Sequence, residues 1–273
     1  MKFFIYLLSL LIIVGIGISI WIYYPEYQIK EMKKHSVEAA NNDSSKVSYI
    51  SYFRRLKSPE IYHLALGDSV IRGVGSQQNK DLVFQFSNKL GAQIHKKIEY
   101  KNEGINGVTS SELDKIVQEG HFDPEIKKAD IITINVGGND VLRLAKKQNF
   151  NNLFQTFDQV QTSFSNNLLE ITMRIKKLNP KATIVYLELY NPLPQDNKMY
   201  TLADKLLPRW NLKIYQVANQ IPASIVVETP KVISGEKPQN LSTDGIHPSS
   251  EGYTAITDQI IFQFKHQYRK ESA

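Results

Sequence analysis

Cysteine is missing from all 273 residues, which removes disulfides, thiolate metal sites, a cysteine nucleophile and a lipid-modified amino-terminal cysteine. Redox chemistry therefore does not fix the compartment. The formal net charge is +6, but the lysines are scattered and form no aromatic-interleaved patch. That argues against nucleic acid as a partner. Internal repeats are absent, and the only polar tract without apolar periodicity lies near the amino terminus. Strong apolar content is confined to one long run and several short ones.

The long run is Phe3 to Tyr24, broken only by Ser9, Gly15, Gly17 and Ser19, with Lys2 before it and Trp21, Tyr23 and Tyr24 at its end. At about 1.5 Å per residue it spans a bilayer core of roughly 30 Å, and its terminal aromatics suit the membrane interface. A cleavable signal has a shorter apolar core and a small-residue exit site, whereas bulky Ile22-Tyr23-Tyr24-Pro25 follows here. Residues 1–24 therefore read as an uncleaved anchor, with cleavage as the alternative. Lys30, Lys33 and Lys34 compete with Lys2 over orientation. A short anchor at the amino terminus commonly leads export, so the expected catalytic domain lies outside the cytoplasm, at the cell membrane.

Residues 25–58 are polar, carry Asn41-Asn42-Asp43-Ser44-Ser45 in their middle, and read as a stalk. From 59 to 273 strands alternate with helices. Ile61–Leu66, Ile98–Lys101, Asp130–Val136, Thr183–Leu189 and Ser224–Val227 read as five strands. Helical spacing marks Asp81–Lys97, a segment capped by Ser110 and running to Gln118, Leu153–Leu178, Leu202–Gln220 and Ser250–Phe264. Strict alternation implies an α/β fold with a parallel five-stranded sheet and helices on both faces. Right-handed crossovers bring the loops after the strands to one edge.

Four of those loops carry unusual residues: Gly67-Asp68-Ser69, Asn102 to Val108 with Gly107, Gly137-Gly138-Asn139-Asp140, and Asp244-Gly245-Ile246-His247-Pro248. Taken singly, each suits a cap or a turn. Together they supply what acyl transfer from an ester requires: a nucleophile, a base, a group to orient the base, and oxyanion donors. Asp244 lies three residues before His247, so one turn can hold both, with one imidazole nitrogen on the carboxylate and the other facing Ser69. The Gly-x-Ser-x-Gly elbow of another serine-hydrolase fold is absent around Ser69.

These four blocks closely resemble the signature blocks of the SGNH hydrolases, also called GDSL esterases and lipases, over roughly Glu60 to Phe264. The resemblance implies a three-layer α/β/α sandwich similar to flavodoxin, with no metal and no cofactor. It implies Ser69 as nucleophile, His247 as general base and Asp244 as its orienter. The backbone amides of Ser69 and Gly107 and the side chain of Asn139 would form the oxyanion hole. Val70 stands where the family's second name has leucine, a conservative change. Arg72 reads as a solvated surface residue or a contact to an anionic head group, and Tyr190-Asn191-Pro192-Leu193-Pro194 as an acyl-pocket wall or a rigid turn.

The expected activity is serine esterase or lipase action on a lipid, lysophospholipid or O-acetyl glycan ester, with thioesters as a further option. The competing expectation is an inactive binding or scaffold protein with the same fold at the membrane. A complete site of five residues speaks against it, since drift erodes at least one.

Overall fold

The computed structural model describes residues 2–41, 46–146 and 153–270. The Asn42–Ser45 part of the expected stalk and residues 271–273 of the expected hydrolase domain lie outside them. A long helix α1 (Lys2–Asn41) opens the chain, followed by β1 (Lys46–Ser48) and α2 (Tyr49–Arg55). The alternating part begins with β2 (Glu60–Gly67), α3 (Ser69–Arg72), α4 (Leu82–Ile94) and β3 (Lys97–Gly104). It continues through α5 (Ser110–Gln118), α6 (Asp123–Lys128), β4 (Ile131–Asn135), α7 (Gly138–Lys146) and α8 (Leu153–Leu178). Then come β5 (Thr183–Leu187), α9 (Tyr200–Asn219), β6 (Ser224–Val227), α10 (Ser250–His266) and β7 (Tyr268–Lys270).

The expected five strands form one parallel sheet in the order β3-β2-β4-β5-β6. Alternate side chains divide between its faces. Leu64, Leu66, Ile132, Ile134, Ile184 and Tyr186 pack on one side with Leu113 of α5, Ile126 of α6, Phe164 of α8 and Trp210 of α9. Ile61, Ala65, Ile131, Val185 and Ile225 pack on the other with Phe53 of α2, Phe86 of α4, and Tyr253 and Phe264 of α10. The direction of strand order reverses between β2 and β4, so a crevice opens at their carboxyl ends, where such sheets bind ligands.

The structure differs from the expected stalk. Helix α1 runs through Pro25 to Asn41, because Pro25, Ile29, Met32 and Lys33 share one helical face and α9 packs against it. Residues 46–58 belong to the folded domain. Strand β1 pairs antiparallel with β7 at the other end of the chain, and Tyr49, Ile50 and Phe53 are buried. A three-residue strand paired only with a partner at the far terminus leaves no local pattern. Ser110 also differs from expectation, since Thr109 caps α5 in a capping box with Glu112. That frees the Ser110 hydroxyl for Asp140.

Candidate active site

Three turns meet at the crevice. The first depends on Gly67, whose φ is +153° and whose Cβ, if present, would lie 2.0 Å from the Asn135 carbonyl oxygen. Only glycine fits this close approach of β2 to the end of β4. The Asp68 amide then donates to the same carbonyl at 3.0 Å. The Asp68 carboxylate accepts from the Val70 amide at 2.9 Å and the Asn135 side chain at 3.0 Å, capping the short helix that begins at Ser69. Burial raises the Asp68 carboxyl to about 6 despite those two bonds.

The second turn lies between β6 and α10. The Ser242 amide donates to the His247 carbonyl at 2.8 Å and the Gly245 amide to the Ser242 carbonyl at 2.9 Å, closing a tight loop. Inside it, Oδ1 of Asp244 accepts from the Ser242 hydroxyl at 2.7 Å, the Ile246 amide at 2.8 Å and the His247 amide at 3.0 Å. Its Oδ2 lies 2.6 Å from His247 Nδ1. Desolvation opposes ionisation of Asp244, but the His247 side chain and these donors outweigh it and hold the carboxyl well below the usual carboxylate range. His247 Nε2 lies 2.8 Å from Ser69 Oγ, a residue 178 positions away. The chain Asp244, His247, Ser69 is thus continuous.

The third turn, at the start of α7, fixes the loop after β3. Asp140 accepts from the Ser110 amide at 2.9 Å and the Ser110 hydroxyl at 2.7 Å, and its carboxyl is raised by burial. Asn139 donates through Nδ2 to the Val108 carbonyl at 2.9 Å, which uses one of the two N–H groups on that nitrogen. Gly107, beside Val108, has φ +77°. Among the described residues, the backbone N–H groups of Ser69 and Gly107 donate to no protein acceptor. All five residues singled out in the sequence lie on turns or helix starts at this one edge of the sheet.

Sequence reasoning missed three supports and, for Tyr190, named the residue without its contact. Asn135 holds Asp68, Ser242 holds Asp244, and Arg143 reaches the Gly107 carbonyl and pairs with Glu112. The Tyr190 hydroxyl donates to the Ile246 carbonyl at 2.8 Å, so Tyr190 braces the His247 turn. Only Ser242, two residues before Asp244, carried a local signal.

Residues 65–255 match the sequence profile of the GDSL-like Lipase/Acylhydrolase family. Among curated proteins, the spore germination lipase LipC of Bacillus licheniformis is 28% identical over 205 residues, covering 73% of this chain and 94% of that protein. Among solved structures, the lipase Lip_vut3 from a goat rumen metagenome is 26% identical with a TM-score of 0.66, covering 74% of this chain and 97% of that one. The acetylxylan esterase Axe2 of Geobacillus stearothermophilus shares the fold at 19% identity and a TM-score of 0.56, over 75% of this chain and 94% of its own.

Proposed function

The chain belongs to the GDSL-like lipase/acylhydrolase family and is a carboxylic ester hydrolase, and on that premise we propose that it works through an acyl-enzyme on Ser69. The carrying observation is the unbroken hydrogen-bonded chain from Asp244 through His247 to Ser69, 2.6 Å and then 2.8 Å. His247 Nε2 takes the proton from Ser69 Oγ as that oxygen bonds to the substrate carbonyl carbon. Asp244 accepts from Nδ1–H, fixing the tautomer and stabilising the imidazolium. The carbonyl oxygen becomes an oxyanion held by the free amides of Ser69 and Gly107 and the second N–H of Asn139. Collapse expels the alcohol, which leaves with the proton from His247. Water then attacks the acyl-serine by the same route, releasing the acid and restoring Ser69.

The substrate reading favours acyl esters of lipid type over glycan acetyl groups. The relatives named lipases stand at 28% and 26% identity, whereas the acetylxylan esterase shares the fold alone. Within Ser9–Lys34, helix α1 contains an 18-residue window of mean hydropathy 1.5, long and apolar enough to cross a membrane. We read residues 1–24 as a retained anchor, because α1 continues unbroken beyond them into the part packed on α9, with the hydrolase domain on the outer side. Turnover of p-nitrophenyl esters from acetyl to palmitoyl, beside the Ser69→Ala variant, tests the proposal. Activity that survives the substitution overturns it.

A further inference from the structure

Helix α1 has a direction relative to the sheet, and that direction bears on where the substrate comes from. Lys33 pairs with Glu228 and approaches Glu188 at 4.0 Å, the residues that follow β6 and β5 at the carboxyl edge. Its ammonium also lies 5.0 Å from the Tyr215 ring of α9. Downstream, α1 packs against β7, and the chain enters β1, which pairs with β7. That end is the amino edge: Arg269 of β7 donates to Thr183, the first residue of β5, and Tyr49 donates to the carbonyl of Ser224, the first residue of β6.

Upstream of Lys33 the helix therefore leaves past the carboxyl edge. Trp21 lies under the Arg209 guanidinium at 4.0 Å, and Tyr23 is 5.7 Å from Lys205, aromatic and cationic pairs of the kind found at a membrane interface. Beyond them, Leu10 to Ile16 and Ile20 are exposed along the helix. Pro25 can bend such a helix by about 20–30°. Presenting the amino edge to the bilayer instead would take a half turn.

A second observation concerns the loops at the same edge. Ile105 after β3, Leu142 in α7, Met199 before α9 and Ile246 beside His247 are all large apolar residues between 37% and 41% exposed. All four stand on segments that follow strands at the carboxyl edge, the edge from which Ser69 and His247 also come.

We propose that the carboxyl edge of the sheet, whose loops expose Ile105, Leu142, Met199 and Ile246, docks on the bilayer leaflet that α1 enters, so that Ser69 opens toward the membrane surface. The substrate is then an amphiphilic ester drawn from that leaflet, its carbonyl lying at the boundary between head groups and acyl chains. The proposal rests on the reading of α1 as a retained anchor and deepens the lipid-ester assignment. The Ser69–His247 chemistry stands whether or not this orientation holds.

The cysteine-free sequence permits a direct test with the full chain reconstituted in phosphatidylcholine vesicles. Single cysteines at Ile105→Cys, Leu142→Cys and Met199→Cys mark the carboxyl edge, and Lys57→Cys and Lys181→Cys mark the amino edge. Each is labelled with bimane, and emission is compared in vesicles with and without bromine-labelled acyl chains. The expected result is flotation of every variant with the vesicles, and loss of emission at positions 105, 142 and 199 alone. Flotation with equal loss at both edges, or with none at the carboxyl edge, overturns the orientation while leaving the anchor intact. A chain that does not float overturns the anchor and the orientation with it.

Discussion

The Tyr190 hydroxyl donates a 2.8 Å hydrogen bond to the carbonyl of Ile246, the residue immediately before His247. It ties the loop after β5 to the turn that carries the proposed base, so Tyr190 acts as a positioning residue. One such bond is worth about 1 kcal/mol. Tyr190→Phe is therefore expected to lower kcat by roughly 3- to 10-fold with KM little changed. A large rise in KM at constant kcat would instead place Tyr190 against the substrate.

Asp244 and Ser242 separate two contributions on one turn. Asp244→Asn cannot accept from Nδ1–H in the same way and is expected to cost about 10⁴-fold in kcat. Ser242→Ala removes one of several donors to Asp244 and is expected to cost about 10-fold or less. Steady-state kinetics of the two variants check the order. Equal losses would mean that the turn, rather than the carboxylate, is what matters.

Gly67 has no room for a side chain. A methyl group there meets the Asn135 carbonyl oxygen at 2.0 Å in a left-handed backbone conformation. Gly67→Ala is expected to destabilise the domain by about 4 kcal/mol or more. By contrast, Gly107→Ala meets nothing within 4 Å and carries only the strain of its φ of +77°. Its expected cost is about 1–2 kcal/mol. Denaturant midpoints of the two variants test this, and a Gly67→Ala protein as stable as the wild type would contradict the packing described.

Asp68 makes stability depend on pH. Its carboxyl is raised by burial to about 6, above the value it has when unfolded. Between about pH 4 and 6 the folded chain thus binds more protons than the unfolded one, and stability contributed by this group falls as pH rises through that window. Asp68→Asn has no such titration. Its stability relative to the wild type is expected to rise from pH 4 to pH 7 by up to about 3 kcal/mol. Melting curves that keep a constant offset across that range would refute the assignment.

Much of this was legible in the sequence because buried parallel strands write themselves as short apolar runs. Ser224–Val227 coincides with β6, and Thr183–Leu189 overruns β5 by the two residues after Leu187. Strand β3 reads at half its length in the sequence, since it lies at the sheet edge and only Gly104 of it is buried. Its extent is set by pairing with β2, not by its own pattern. The second half of α1 reads as stalk because it is polar and lacks sustained apolar periodicity, and only its packing on α9 shows it as helix. In the site, Ser69, Gly107 and Asn139 stand out as glycine and polar residues soon after strands, and Asp244 and His247 by their three-residue spacing. Asn135 and Arg143 do not, and the bracing role of Tyr190 does not, because each reaches a partner distant in sequence.

Ser69 is proposed as the nucleophile, and trapping it tests that role. The full chain is treated with a fluorophosphonate, digested, and the modified peptide sequenced by mass spectrometry, beside the His247→Ala variant. A single stoichiometric adduct is expected on Ser69 of the wild type, formed at least about 10³-fold more slowly in His247→Ala. No adduct on Ser69, or equal labelling of both proteins, would contradict it.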